Sequence, residues 1–181
     1  MRTEVTIIDH IFYTNELGLS DLSPNPLLTV HIGDTRNVTL LSSVFTPDVV
    51  GMVHLASISR VVQCAENPRD CTDVDERGTQ LVLDSLEQLN SQDQGKQWFI
   101  LASSVEVYSE MTAAITLHED AQTKPSSVYG NRSLQLRELL RHDHLPIFLL
   151  FPFVYRTCME ACTITTIAPF HPLLLNHYGT K

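Results

Sequence analysis

Two short segments carry the residue types that perform proton chemistry. Leu101-Ala102-Ser103-Ser104-Val105-Glu106-Val107-Tyr108 is an apolar run that ends in a hydroxyl pair and then a carboxylate. Ser127-Val128-Tyr129-Gly130 stands at the head of an amphipathic stretch. A strand-end serine and a helix-borne tyrosine can meet at one edge of a sheet, where the tyrosine acts as general acid or base if its surroundings lower its pKa from about 10. The plainer alternative is a surface hydroxyl cluster beside a core tyrosine. The other reactive groups are four cysteines: Cys64, Cys71, Cys158 and Cys162. Cys158 and Cys162 could share a helix face, but no histidine completes a zinc pattern, so free buried thiols and no metal are expected. Asn37-Val38-Thr39 and Asn131-Arg132-Ser133 match the glycosylation sequon, and without a readable secretory signal both are expected to be chance matches.

These residues need a scaffold, and short apolar runs alternate with helical patterns along most of the chain. Val5–Asp9, Leu27–Ile32, Val49–Ala56, Trp98–Ala102 and Ile147–Phe151 read as strands. Val49–Ala56 and Trp98–Ala102 are nearly continuous in apolar residues, as strands covered on both faces are. Cys71–Asn90 carries Val74, Leu81, Val82, Leu86 and Leu89 at helical spacing, and Ser126–His142 carries Tyr129, Leu136, Leu139 and Leu140. The alternation implies an open α/β sheet with helices on both faces. Ser109–Ser127 is a long loop following a strand's carboxyl end, a place where loops are often functional.

Length and charge set outer bounds. At 181 residues the chain suits one domain with a full core. A net charge of -9 disfavours nucleic acid and anionic membrane surfaces, and no apolar run reaches the ~20 residues that span a bilayer. A cytoplasmic domain is expected, with neither nucleic acid nor membrane as partner.

Val53-His54-Leu55-Ala56-Ser57, Gly78-Thr79, Ala102–Tyr108 and Ser127-Val128-Tyr129-Gly130 occur in an order and at spacings that resemble the NAD-dependent epimerase/dehydratase family, the extended short-chain dehydrogenase/reductases. The resemblance covers roughly Glu4–Tyr155. It implies a Rossmann-like three-layer parallel sheet over residues 1–156, with 157–181 a remnant of the substrate-binding region or a tail. It also implies NAD as cofactor, a nucleotide sugar or related secondary alcohol as substrate, with a sterol-like or secondary-metabolite alcohol as the alternative class, and a possible homodimer. By position, Asp9 matches the acid that binds the adenosine ribose and Asp34 the acid beside the adenine, followed by Thr35. Leu55, Ala56 and Ser57 match the strand end lining the cofactor. Ser104 matches the hydroxyl that positions the substrate oxygen, Tyr129 the proton-transferring tyrosine, and Glu106 an acidic substrate-site residue.

The same resemblance exposes departures. The glycine-rich turn that lets a backbone approach a pyrophosphate has no counterpart, and the chain aligns from the second family strand onward. In the order 3-2-1-4-5-6 the first strand is central, so two strand edges would face a gap. They would pair directly, be bridged by another segment or partner, or belong to a longer natural chain. Four residues after Tyr129, where the family has lysine, stands Ser133, with Arg132 as a possible surrogate cation. Asp75 replaces an asparagine near the cofactor. The expected activity is therefore impaired NAD-linked chemistry, with a non-catalytic binding or interaction domain, or a fragment, as alternatives.

Overall fold

The computed structural model describes residues 4–10, 25–93, 97–108, 121–140, 147–150 and 165–167. Strand β1 is Val5–Asp9 and β2 Leu28–Ile32. Helix α1 (Val38–Val44) leads to β3 (Gly51–His54), and then come α2 (Val61–Glu66) and α3 (Pro68–Thr72). A π turn, Asp73–Arg77, joins α3 to α4 (Gly78–Asp93). Strand β4 (Trp98–Ala102), a 3-10 turn (Val105–Val107), α5 (Val128–Leu139), β5 (Ile147–Leu150) and β6 (Thr165–Ile167) complete the order.

The six strands form one sheet in the order β2-β1-β6-β3-β4-β5. β1 and β2 pair in parallel, as do β3 with β4 and β4 with β5. β6 runs antiparallel to both β1 and β3, with Thr165 opposite Ile8 and His54 and Ile167 opposite Thr6 and Met52. The expected α/β sheet is present with one modification. Of the three ways to close the central gap, the structure uses another segment of the chain. That segment enters in the opposite direction, so the sheet is parallel except at its centre. It comes from the stretch 157–181, which the resemblance places outside the main domain.

Burial explains why the strands form. Ile7 and Ile8 point to opposite faces of β1 and are 5% and 0% exposed, so both faces are covered. The core gathers Ile8, Leu41, Met52, Val82, Leu86, Phe99, Leu101 and Leu136. Val82, Leu86 and Leu89 form the inward stripe of α4, at the helical spacing read from the sequence. α1 packs on α4, and α2 on α5. The helix expected from Cys71 starts as α4 only at Gly78, and α1, α2 and the Pro68 helix start carry no helical pattern of their own in the sequence. Asn37 caps α1 by accepting from the Leu40 amide at 3.1 Å, and Pro68 sits in the first turn of α3, where its missing N–H costs nothing.

Candidate functional site

β1 and β3 are both antiparallel to β6, and each has a parallel neighbour, so β1, β2, β3 and β4 all end at one edge of the sheet. Asp9, the Gly33 turn, Leu55–Ser57 and Ser103–Ser104 follow those ends. The topology therefore brings every strand-end residue singled out in the sequence to one rim, the usual place for ligands in open α/β sheets.

At the β4 end the chain turns sharply. Ser104 caps the 3-10 turn by accepting from the Glu106 amide at 3.2 Å. Ser127 caps α5 in the same way, accepting from the Gly130 amide at 2.9 Å while donating to Glu106 Oε2 at 3.2 Å. Gly130 lets the two turns touch, because a Cβ there would run into the Glu106 carbonyl. This contact brings Tyr129, half-buried in the first turn of α5, to Ser104, which is 6% exposed. Ser104 and Ser133 both hydrogen-bond the Tyr129 hydroxyl. Even so, burial pushes the phenol above its usual range, and the nearby Asp75 and Glu106 carboxylates push it the same way. The pair has the geometry of an alcohol-binding corner with the electrostatics reversed from those of a poised base.

Arg132 does not supply the missing charge to that phenol. Its Nη2 donates to Pro68 O at 3.1 Å and to Thr72 Oγ1 at 2.6 Å, and Glu76 Oε1 stands 3.7 Å from its Nε. Arg132 thus clamps α5 to α3. Its field reaches Asp75, whose carboxyl burial pushes up to about 6 against the opposing effects of the Ile58 amide, Arg132 and Ser57.

The remaining residues fall into two groups. Asp9 lies buried at the β1 end, and its carbonyl accepts from the Gly33 amide at 2.9 Å. Ala56 is buried and Leu55 half-buried at the β3 end, while Ser57 hydrogen-bonds Asp75. Asp34, by contrast, is committed to Arg36, which donates to it from Nε at 2.9 Å and Nη2 at 2.6 Å and reaches Asp73 from Nη1 at 2.7 Å. That pairing holds the Asp34 carboxyl below its ordinary range. Thr35 is 4% exposed and lies so close to Gly78 that a Cβ there would approach its Oγ1 to 2.8 Å. Loop 33–37 is thereby pinned to the π turn.

The fit of a dinucleotide is partial. Asp9 and the β3 end lie on the rim where an adenosine half would sit, but no described residue offers a glycine-rich backbone cradle for a pyrophosphate, and the centre of the sheet is filled by antiparallel β6. Free thiols are the expectation from the sequence. The structure corrects this for one pair: Cys64 and Cys71, on α2 and α3, form a disulfide with Cα atoms 5.4 Å apart. Asn67 ends α2 and Pro68 starts α3, and this break folds two short helices back until the sulfurs meet. The spacing of seven residues alone carried no such signal. Cys158 and Cys162 lie outside the described residues.

Among the described residues, no helix is long and apolar enough to cross a membrane. No curated protein matches the sequence. The fold is similar to that of UDP-glucose 4-epimerase from Bifidobacterium longum in complex with NAD+ and UDP (TM-score 0.71, 22% identity, 82% of this chain and 45% of that one). It is also similar to dTDP-glucose 4,6-dehydratase from Streptomyces venezuelae with NAD bound (TM-score 0.69, 24% identity, 82% and 45%). UDP-glucuronic acid 4-epimerase from Bacillus cereus, in complex with UDP-glucuronic acid and NAD, gives a TM-score of 0.67 at 25% identity over 81% of this chain and 47% of that one. The chain spans less than half the length of each of these structures. The family model for GDP-mannose 4,6 dehydratase matches residues 3–138, most of the chain, and with that match the chain belongs to the NAD-dependent epimerase/dehydratase family.

Proposed function

We propose that the Ser104–Tyr129 corner is the alcohol-handling site of a nucleotide-sugar epimerase or dehydratase type of protein, with proton transfer impaired in this chain. The observation that carries the reading is the phenol itself, held by Ser104 and Ser133 but flanked by Asp75 and Glu106 instead of a cation. Ser104 and Tyr129 would hold the hydroxyl of a secondary alcohol between them. A bound nicotinamide would supply the hydride acceptor. The proton of that hydroxyl has no ready destination at neutral pH, because a phenol above its usual range is protonated there. Asp9 would orient the adenosine ribose and favour NAD over a 2′-phosphorylated cofactor by charge repulsion.

A second reading, a domain of this family that binds without turnover, is favoured by the commitment of Asp34 to Arg36 and of Arg132 to Pro68 and Thr72. Calorimetric titration of the 181-residue chain with NAD and NADH, followed by assay with UDP-glucose and UDP-glucuronic acid, separates the two. Binding near micromolar with slow turnover that Tyr129→Phe abolishes supports the impaired enzyme. Binding with no turnover, in a chain shown to be folded, supports the second reading. No binding up to millimolar NAD overturns the enzymatic proposal.

A further inference from the structure

Cys64 Sγ, Cys71 Sγ and a carboxylate oxygen of Asp75 all lie within 4.8 Å of one another. None of the three residues is more than 1% exposed. The sulfurs come from α2 and α3, and the carboxylate from the π turn, which points Asp75 inward beneath the loop that follows β3. Asp75 is already oriented, because its Oδ1 accepts from the Ile58 amide at 2.8 Å. The Ile58 carbonyl oxygen lies 3.2 Å from Cys64 Sγ and 3.8 Å from Cys71 Sγ, so a fourth oxygen donor borders the same space.

We propose that the reduced Cys64–Cys71 pair and Asp75 form a zinc-binding site, which the disulfide closes. Two thiolates with one carboxylate are a donor set that suits Zn2+ over the hard cations, which prefer all-oxygen shells. The fourth tetrahedral position falls to the Ile58 carbonyl or a water. Three anionic ligands around a dication leave one net negative charge. Arg132 is the buried cation that answers it: it is 5% exposed, its field already acts on Asp75, and its Nη1 has no hydrogen-bond partner among the described residues, while its Nε faces Glu76. The chemistry balances in two steps. A dithiol reductant delivers two electrons and two protons, the S–S bond breaks, and the reductant leaves as its own disulfide. Zn2+ then binds both sulfurs as thiolates, and the two thiol protons pass to solvent.

The test uses the full chain with Cys158→Ser and Cys162→Ser, so that no other thiol competes. The protein is reduced, freed of reductant without air, and titrated with Co2+ and then Zn2+. The expected result is a thiolate-to-cobalt charge-transfer band that saturates at one equivalent, is bleached by Zn2+ and is absent from the disulfide form. Two protons should be released per Zn2+ bound. Asp75→Asn should keep the band but weaken binding by about tenfold or more. The site is overturned if the reduced, folded chain shows no band, or if the band survives Cys64→Ser with Cys71→Ser. It is equally overturned if Asp75→Asn binds as tightly as its parent, or if reduction alone abolishes the circular dichroism of the fold.

Discussion

Tyr129 and Ser133 are one helical turn apart on α5, and that spacing decides what the tyrosine can do. A serine at i+4 gives the phenol a hydrogen bond but no field, whereas burial, Asp75 and Glu106 all favour the neutral form. In Ser133→Lys the added ammonium should lower the Tyr129 pKa, because a cation one helical turn away favours the phenolate. The pH dependence of phenolate absorbance, with Tyr129→Phe as the blank, reads this directly; an unchanged titration would place the lysine out of reach of the phenol. His54 makes a separate prediction. It is fully buried, its Nε2 is 2.9 Å from Thr79 Oγ1, and burial holds its pKa down to about 4 from 6.5. The unfolded chain therefore takes up a proton between pH 6.5 and 4 that the native state refuses, so the His54 contribution is intact above 6.5 and is lost as pH falls towards 4. The stability of wild type relative to His54→Gln should drop by up to about 3 kcal/mol across that window in denaturant titrations. A flat difference would mean that the imidazole is protonated in the native state.

At the scale of elements, the site depends on how closely the 3-10 turn meets the start of α5. Gly130→Ala pushes a methyl group into the Glu106 carbonyl, and backbone on both sides leaves little room to relax. It should cost about 1–3 kcal/mol and separate Ser104 from Tyr129. Ser127→Ala should cost about 1 kcal/mol through the lost cap, with Glu106 losing a hydrogen-bond donor as well. Thermal melts of both variants check the ranking. Much of this corner was legible in the sequence, because a buried strand running into Ser103-Ser104 and a Ser-x-Tyr-Gly helix start are local signals. The short helices α1, α2 and α3 were not, since five to seven residues hold too few apolar positions to show a period. The fates of Asp34, Arg132 and the Cys64–Cys71 pair were illegible for another reason. Their partners lie across a turn or on a distant element, as with Arg132 and Thr72, and only the fold brings them together.

For the whole molecule, the decisive feature is the three-residue strand that closes the sheet. The sequence showed that a central gap would exist, because the strand order places a missing member between β1 and β3. It did not show what fills the gap, since Thr165–Ile167 is short, only weakly apolar, and far from both partners in the chain. β1 and β3 each present one edge to β6, so the sheet's two halves are joined through these three residues. Thr166 faces Ile7 on one side and Val53 on the other. In Thr166→Pro the ring removes a backbone donor and cannot sit in a central strand. Amide exchange at residues 6–8 and 52–54 should then accelerate, while amides of the β4 strand, bounded by β3 and β5, keep their protection. The freed edges should also make the variant associate with concentration, which sedimentation would detect. Unchanged protection in β1 and β3 would mean that β6 does not hold the two halves together, and the sheet would have to close by direct pairing of β1 with β3.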